Sequence, residues 1–171
     1  PDEMPARVVE PRVRAAALDP RSWCTLLGLD PTAPAGALVW RAAREAATLD
    51  GMLAAVEEAT DAPDEVRLAA ANHLHLADSW GVFGADAPAL TGGEVTVLDC
   101  SGLADAPTNA VCHAAASALY RGRLDGATDR QPWLLVDEAH VAFEGVAAGA
   151  LRRVLTRGRA PGVSLVVATP D

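Results

Sequence analysis

The spacing of apolar residues changes near residue 93. Before it they recur every three or four positions; after it they gather into short runs separated by helical stretches. In residues 6–18, Val8, Val9, Val13 and three alanines surround Pro11, a pattern that predicts a short strand and a turn. Asp19-Pro20 is a helix start, because Asp accepts backbone N–H bonds and Pro is tolerated in a first turn. Residues 21–29 then form a short helix with Trp23, Leu26 and Leu27 inward. Residues 32–80 read as helical throughout. Thr32 is the expected cap of a helix carrying Leu38, Val39, Ala42, Ala46 and Leu49. Gly51 is expected to interrupt it, Pro63 to open the next helix, and Val66, Ala69, Ala70, His73, Ala77 and Trp80 to share one face.

Beyond residue 93, Val95, Val97 and Leu98 precede Asp99, residues 133–136 precede Asp137-Glu138, and Val163, Leu165, Val166 and Val167 precede Ala168-Thr169. Between these runs lie an Ala-rich helix (108–120) and a second helix (146–157) stopped at Gly158. Apolar strands alternating with helices imply right-handed crossovers and a parallel sheet covered on both faces. The expectation is an α/β chain in three parts: an entry strand and turn (1–18), an N-terminal α-helical block (19–90) and a partial parallel sheet flanked by helices (91–171).

Composition adds constraints. The 171 residues include 23 acidic and 14 basic side chains, for a net charge of -9. All 14 basic residues are Arg, and both Lys and Ile are absent. Such a balance repels nucleic acid unless a local basic patch intervenes. It also suits an acidic solvent face in high salt, where screening weakens that repulsion. Cys24, Cys100 and Cys112 have neither disulfide nor zinc spacing, so buried thiols in a cytoplasmic protein are expected. No segment is long and apolar enough to span a bilayer, and no signal-peptide pattern opens the chain. Starting at Pro1 and running quickly into apolar residues, the chain is expected to be part of a longer protein, although removal of a tag would look the same.

In a parallel sheet, functional groups collect at the carboxyl ends of the strands. Asp99, Ser101, Asp137, Glu138 and Thr169 all fall there. An apolar strand ending in Asp-Glu meets the needs of nucleotide hydrolysis. Asp137 is the candidate to position Mg²⁺ through its water shell, and Glu138 to orient and deprotonate the attacking water. The same residues also make an ordinary solvated strand end. Asp99 either lines the crevice or caps the turn through Ser101 and Gly102, and the latter is favoured.

Residues 134–140 read as a Walker B strand. Together with residues 95–103 and the Gly-Arg turn within residues 151–169, they resemble the HerA/FtsK branch of P-loop motor ATPases, over about residues 94–169. The nearest resemblance is to acidic, lysine-free forms from extreme halophiles. The resemblance implies a RecA-like core, ATP and Mg²⁺ as cofactors, and a homo-oligomeric ring acting on DNA. It places Arg157 and Arg159 in the turn from which an Arg could reach a neighbouring subunit's γ-phosphate; a solvated helix end is the equal alternative. Thr169 falls just before the family's sensor glutamine, where this chain has Pro170-Asp171 instead.

The chain departs from the family in having neither a lysine nor a Gly-rich phosphate loop, so it is expected to be inactive by itself. An unpaired sheet edge would favour a dimer. The Asp-Glu-Ala-His string and Val167-Ala168-Thr169 also partly resemble DEAH-box helicases, and a non-catalytic interaction module is a further alternative. His73 and His75, two apart on a helix, diverge and do not suggest a metal pair. His113 has no evident role, and the four Trp residues are expected to be core anchors.

Overall fold

The computed structural model describes residues 5–90 and 93–169. The chain divides into two compact units, one of Pro1–Pro11 with Pro88–Asp171, the other Arg12–Ala87. The first strand, β1 (Ala6–Val9), therefore belongs with the second half of the sequence. It runs parallel to β2 (Val95–Leu98) in the register Ala6↔Val95 to Val9↔Leu98.

The 12–87 unit is helical: a 3-10 turn (Ala15–Ala17), then α1 (Pro20–Leu26), α2 (Pro34–Glu45), α3 (Leu49–Glu57) and α4 (Asp64–Ser79). Asp19 caps α1 as its sequence indicates, its carboxylate accepting the Ser22 N–H at 2.8 Å. Two expected punctuation points differ. Thr32 does not cap α2, because its N–H and hydroxyl both bond Asp30 in a local turn; Ala33 takes the cap position without a side-chain bond. Gly51 lies inside α3, and the break falls earlier, where Thr48 accepts the Gly51 N–H at 3.1 Å. The capping hydroxyl outweighs the weak helix propensity of one glycine. Trp23 is the buried centre of this unit. Its indole N–H donates to the Ala15 carbonyl at 3.1 Å, and its ring lies 4.7 Å from that of Phe83. Trp40 and Trp80 are only partly buried.

The other unit continues from β2 through α5 (Asp105–Leu124), β3 (Trp133–Val136), α6 (Ala139–Glu144), α7 (Ala147–Arg157) and β4 (Ser164–Val167). All three apolar runs of this half are strands. Leu151 and Val154 from α7, Ala116 from α5 and Val136 from β3 form one core, where burying each large aliphatic side chain contributes about 1.5–3 kcal/mol.

β3 and β4 pair in parallel, with Trp133↔Ser164 and Val136↔Val167 in register. An α/β fold with small parallel sheets flanked by helices is thus present, but not the single sheet expected. Among the described residues the strands form two separate pairs, β1-β2 and β3-β4. Coverage of both faces fails as well. Leu134 and Val136 face the helices, whereas Trp133 and Leu135, on the opposite face by the alternation of a strand, are 67% and 70% exposed. Trp133 is therefore not a core anchor.

The single helix expected at 146–157 has an unanticipated predecessor, α6, separated by Gly145. Asn109 explains the junction. Nearly buried on α5, it donates to the Asp105 and Val141 carbonyls at 3.1 and 2.9 Å and accepts the Ala147 N–H at 3.2 Å. A Cβ on Gly145 would lie 2.2 Å from the Asn109 Oδ1. His113, one helical turn further along α5, places its Nδ1 3.1 Å from the Val146 carbonyl, which supplies the role its sequence context did not suggest. Gly158 ends α7 in a right-handed conformation; it is needed there because a Cβ would strike the Val154 and Val163 carbonyls.

Replacing Asn109 with Leu strands the Val141 carbonyl and the Ala147 N–H in a buried junction. A loss of about 2–3 kcal/mol is expected by urea unfolding, with Gly145→Ala destabilising by a similar route. Wild-type stability in both variants would show that the junction does not depend on this side chain.

Candidate functional site

β3 delivers Asp137 and Glu138 to its carboxyl end, where both are exposed. The ladder continues past the strands to hold them there. The Ala168 N–H donates to the Val136 carbonyl at 2.9 Å, and the Ala139 N–H returns to the Ala168 carbonyl, also at 2.9 Å. The two acids therefore occupy a turn tied on both sides to the segment that follows β4.

Glu138 is conformationally unusual. Its φ of 49° and ψ of 41° are left-handed, and among the described residues no other non-glycine has a positive φ. For an L-residue this costs about 1–2 kcal/mol, and such conformations concentrate at functional sites. The turn is supported by an Asp137 Oδ1 that accepts the Glu138 N–H at 3.0 Å. His140, at the start of α6, lies 3.4 Å from Glu138 through Nδ1 and Oε2, an ion pair only when the imidazole is protonated.

The carboxylates open onto a cleft of about 1320 Å³. It runs between β2 and β3 over α5, and Asp99, Asp105, Asp137 and Glu138 line it near the carboxyl ends of the strands. Asp99 accepts the Ser101 N–H at 3.0 Å, and the Ser101 hydroxyl and N–H together hold its carboxyl below the usual range. That geometry is the turn cap favoured from the sequence, although the side chain also borders the cleft. The thiols of Cys100 and Cys112 border it too. Burial raises both, with Asp99 adding to the effect at Cys100, while Cys112 is pushed to about 11 by burial and then by Cys100. Only Cys24 of the three is fully buried, so the expectation of three buried thiols holds for one.

The remaining candidates are divided between two edges. Thr169 follows β4 at the same edge as Asp137, exposed and outside the cleft lining. Pro170 and Asp171, on which the missing sensor was read, lie outside the described residues. Arg157 ends α7 and Arg159 lies in the turn leading into β4. Both are exposed near the amino end of β4, opposite the carboxylates, so one chain does not bring these arginines and Glu138 together. Among the described residues no three His, Cys, Asp or Glu side chains cluster tightly enough to hold a metal ion alone, and no helix is long and apolar enough to cross a membrane. The patterning missed the left-handed turn at Glu138, since an Asp-Glu pair carries no glycine to announce it.

No protein-family model and no curated protein matches this sequence.

Replacing Glu138 with Gly removes the left-handed penalty, whereas Ala retains it. The Gly variant is therefore expected to be about 1 kcal/mol more stable than the Ala variant in urea unfolding, although glycine ordinarily destabilises relative to alanine. The reverse order would mean that Glu138 is unstrained.

Proposed function

We propose that Asp137 and Glu138 are the Walker B carboxylates of a HerA/FtsK-like P-loop ATPase domain with a RecA-like sheet. The observation that carries this reading is the strained, exposed Asp-Glu turn at the carboxyl end of a parallel strand, tied through Ala139 and Ala168 to the adjacent strand. In a merely structural strand end a Gly at this position would avoid the left-handed strain, so it is the backbone of Glu138 rather than the exposure of the acids that favours the functional reading.

The donor set suits Mg²⁺ bound through water. With one Asp137 oxygen engaged by the Glu138 N–H, the other is left to accept from the hydration shell, and this hard cation keeps several waters. When bound, Mg²⁺ supplies charge neutralisation to the phosphates. Glu138 is the residue that would orient a water and take its proton, and His140 restrains that carboxylate when protonated. In this reading Thr169 borders the nucleotide at the same edge. Arg157 and Arg159, at the opposite edge, act in a neighbouring subunit of a homo-oligomeric ring that engages DNA.

The chain contains no Lys, so a Gly-rich, Lys-containing loop from outside these residues must cradle the phosphates. The second reading, a non-catalytic interaction module, is favoured by a different observation: Trp133 and Leu135 stand exposed on the uncovered sheet face.

Calorimetry of this chain with Mg·ATP is expected to give no saturable micromolar binding. In an assembly that supplies the phosphate loop, Glu138→Gln should reduce turnover at least about 100-fold while ATP remains bound. Undiminished turnover in that variant excludes Glu138 as the base. Saturable micromolar binding by the 171-residue chain alone overturns the need for an external loop.

A further inference from the structure

The cleft between β2 and β3 has lips of a particular kind. β2 uses one edge to pair with β1, and β3 uses one edge to pair with β4. Their other edges border the same cavity, which is lined by every residue of both strands. The ladders determine which backbone groups face it. The Val95 N–H donates to the Pro5 carbonyl, so Val95 and Val97 address β1, and the intervening Thr96 and Leu98 point their N–H and C=O the other way. On β3, the Ser164 N–H donates to Pro132 and the Ala168 N–H to Val136. By the same alternation Leu134 and Val136 address β4, while the backbones of Trp133 and Leu135 face the cleft.

Among the described residues these amides and carbonyls have no ladder partner, so at this partly exposed edge they are open to water or to a further strand. A smooth apolar ligand supplies none. An extended peptide supplies donors and acceptors along both edges. The amino ends of the lips meet where Arg130 packs against Gly93, a Cβ there falling 3.0 Å from its guanidinium. The carboxyl ends carry Asp99, Asp105, Asp137 and Glu138. A guest strand parallel to both lips would end among those four carboxylates.

We propose that this cleft receives a β-strand from a partner protein, parallel to β2 and β3, uncharged and rich in β-branched residues along its length and followed by basic residues. The guest joins the two strand pairs into one five-stranded parallel sheet, a mode of recognition in which main-chain hydrogen bonds provide affinity and the flanking charges provide direction. A second copy of the chain is a poorer donor. Each of the four strands among its described residues already has an edge in a ladder, so it would have to break one pair to offer one of them.

The test uses the 171-residue chain at low salt and a fluorescein-labelled, end-capped peptide, Ser-Val-Thr-Val-Val-Arg-Arg. Saturable anisotropy is expected, about tenfold tighter than for the same peptide ending Asp-Asp. On binding, amide exchange at Thr96, Leu98, Trp133 and Leu135 should slow at least about tenfold. Thr96→Pro removes a cleft-facing donor without touching the β1 ladder and should weaken binding about tenfold, with helical circular dichroism retained. If that variant fails to fold, the exchange pattern decides alone. Three results overturn the proposal: protection of those four amides in the free protein, which would mean that β2 and β3 pair directly; no difference between basic and acidic peptides; or a concentration-dependent dimer that protects the same amides.

Discussion

A parallel pair of strands cannot be closed by a tight turn. After β3 the chain must travel back along the sheet before β4 can run in the same direction, and the crossover must pack on the way. Much of the unit around β3 follows from that requirement. The returning segment is α6 and α7, and its apolar side meets α5 and the inner face of β3 and β4. The crossover is bent at Gly145, and Asn109 bonds the backbone on both sides of the bend. Removing that side chain would leave unsatisfied polar groups where the two helices must change direction. The carboxylates just before α6 thus lead into a helix whose far end is fixed by a polar side chain from α5.

The sequence exposes the repetitive parts of this architecture. β-branched and leucine-rich runs mark β2, β3 and β4, the first two ending in acids, and Asp19-Pro20 marks the start of α1 because the side chain and the missing N–H each serve a first turn. Features set by a distant partner are less legible. The break before α7 needs the Asn109 side chain from another helix, and the glycine at 158 is required by carbonyls from both sides of a turn. Thr32 has the residue type of a cap, but Asp30 takes both its N–H and its hydroxyl. Likewise, apolar alternation identifies a strand but not which neighbour it pairs with, so the separation of β2 from β3 has no signature in either run.

The candidate site shows the same division. Asp137 and Glu138 are legible as chemistry, because two acids after an apolar strand are a compact arrangement for holding a cation and a water. Their backbone conformation is not. A left-handed Glu costs free energy that a Gly would spare, which gives the turn a physical oddity independent of any family resemblance. Arg157 and Arg159 are legible only as charges near a helix end; the chain's direction through β4 then puts them across the sheet from the carboxylates. In the proposed ATPase reading, arginines at the far edge would have to act on a nucleotide held by a neighbouring copy.

The cleft connects the two functional readings. Its carboxyl end is the candidate phosphate edge, and its length is a pair of strand edges with inward-facing amides and carbonyls. Inserting a strand there would satisfy those groups and press β3 against a continuous sheet, stiffening the support of Asp137 and Glu138. A nucleotide at that edge and a strand along the cleft therefore do not compete for the same groups: one takes side-chain carboxylates, the other main-chain amides. Basic residues following the guest strand do enter the region of the carboxylates. Occupancy by a strong cationic tail would then lower the local negative potential that a divalent cation needs, so strand binding and metal binding would oppose each other at that end even while the added strand rigidifies the turn between them.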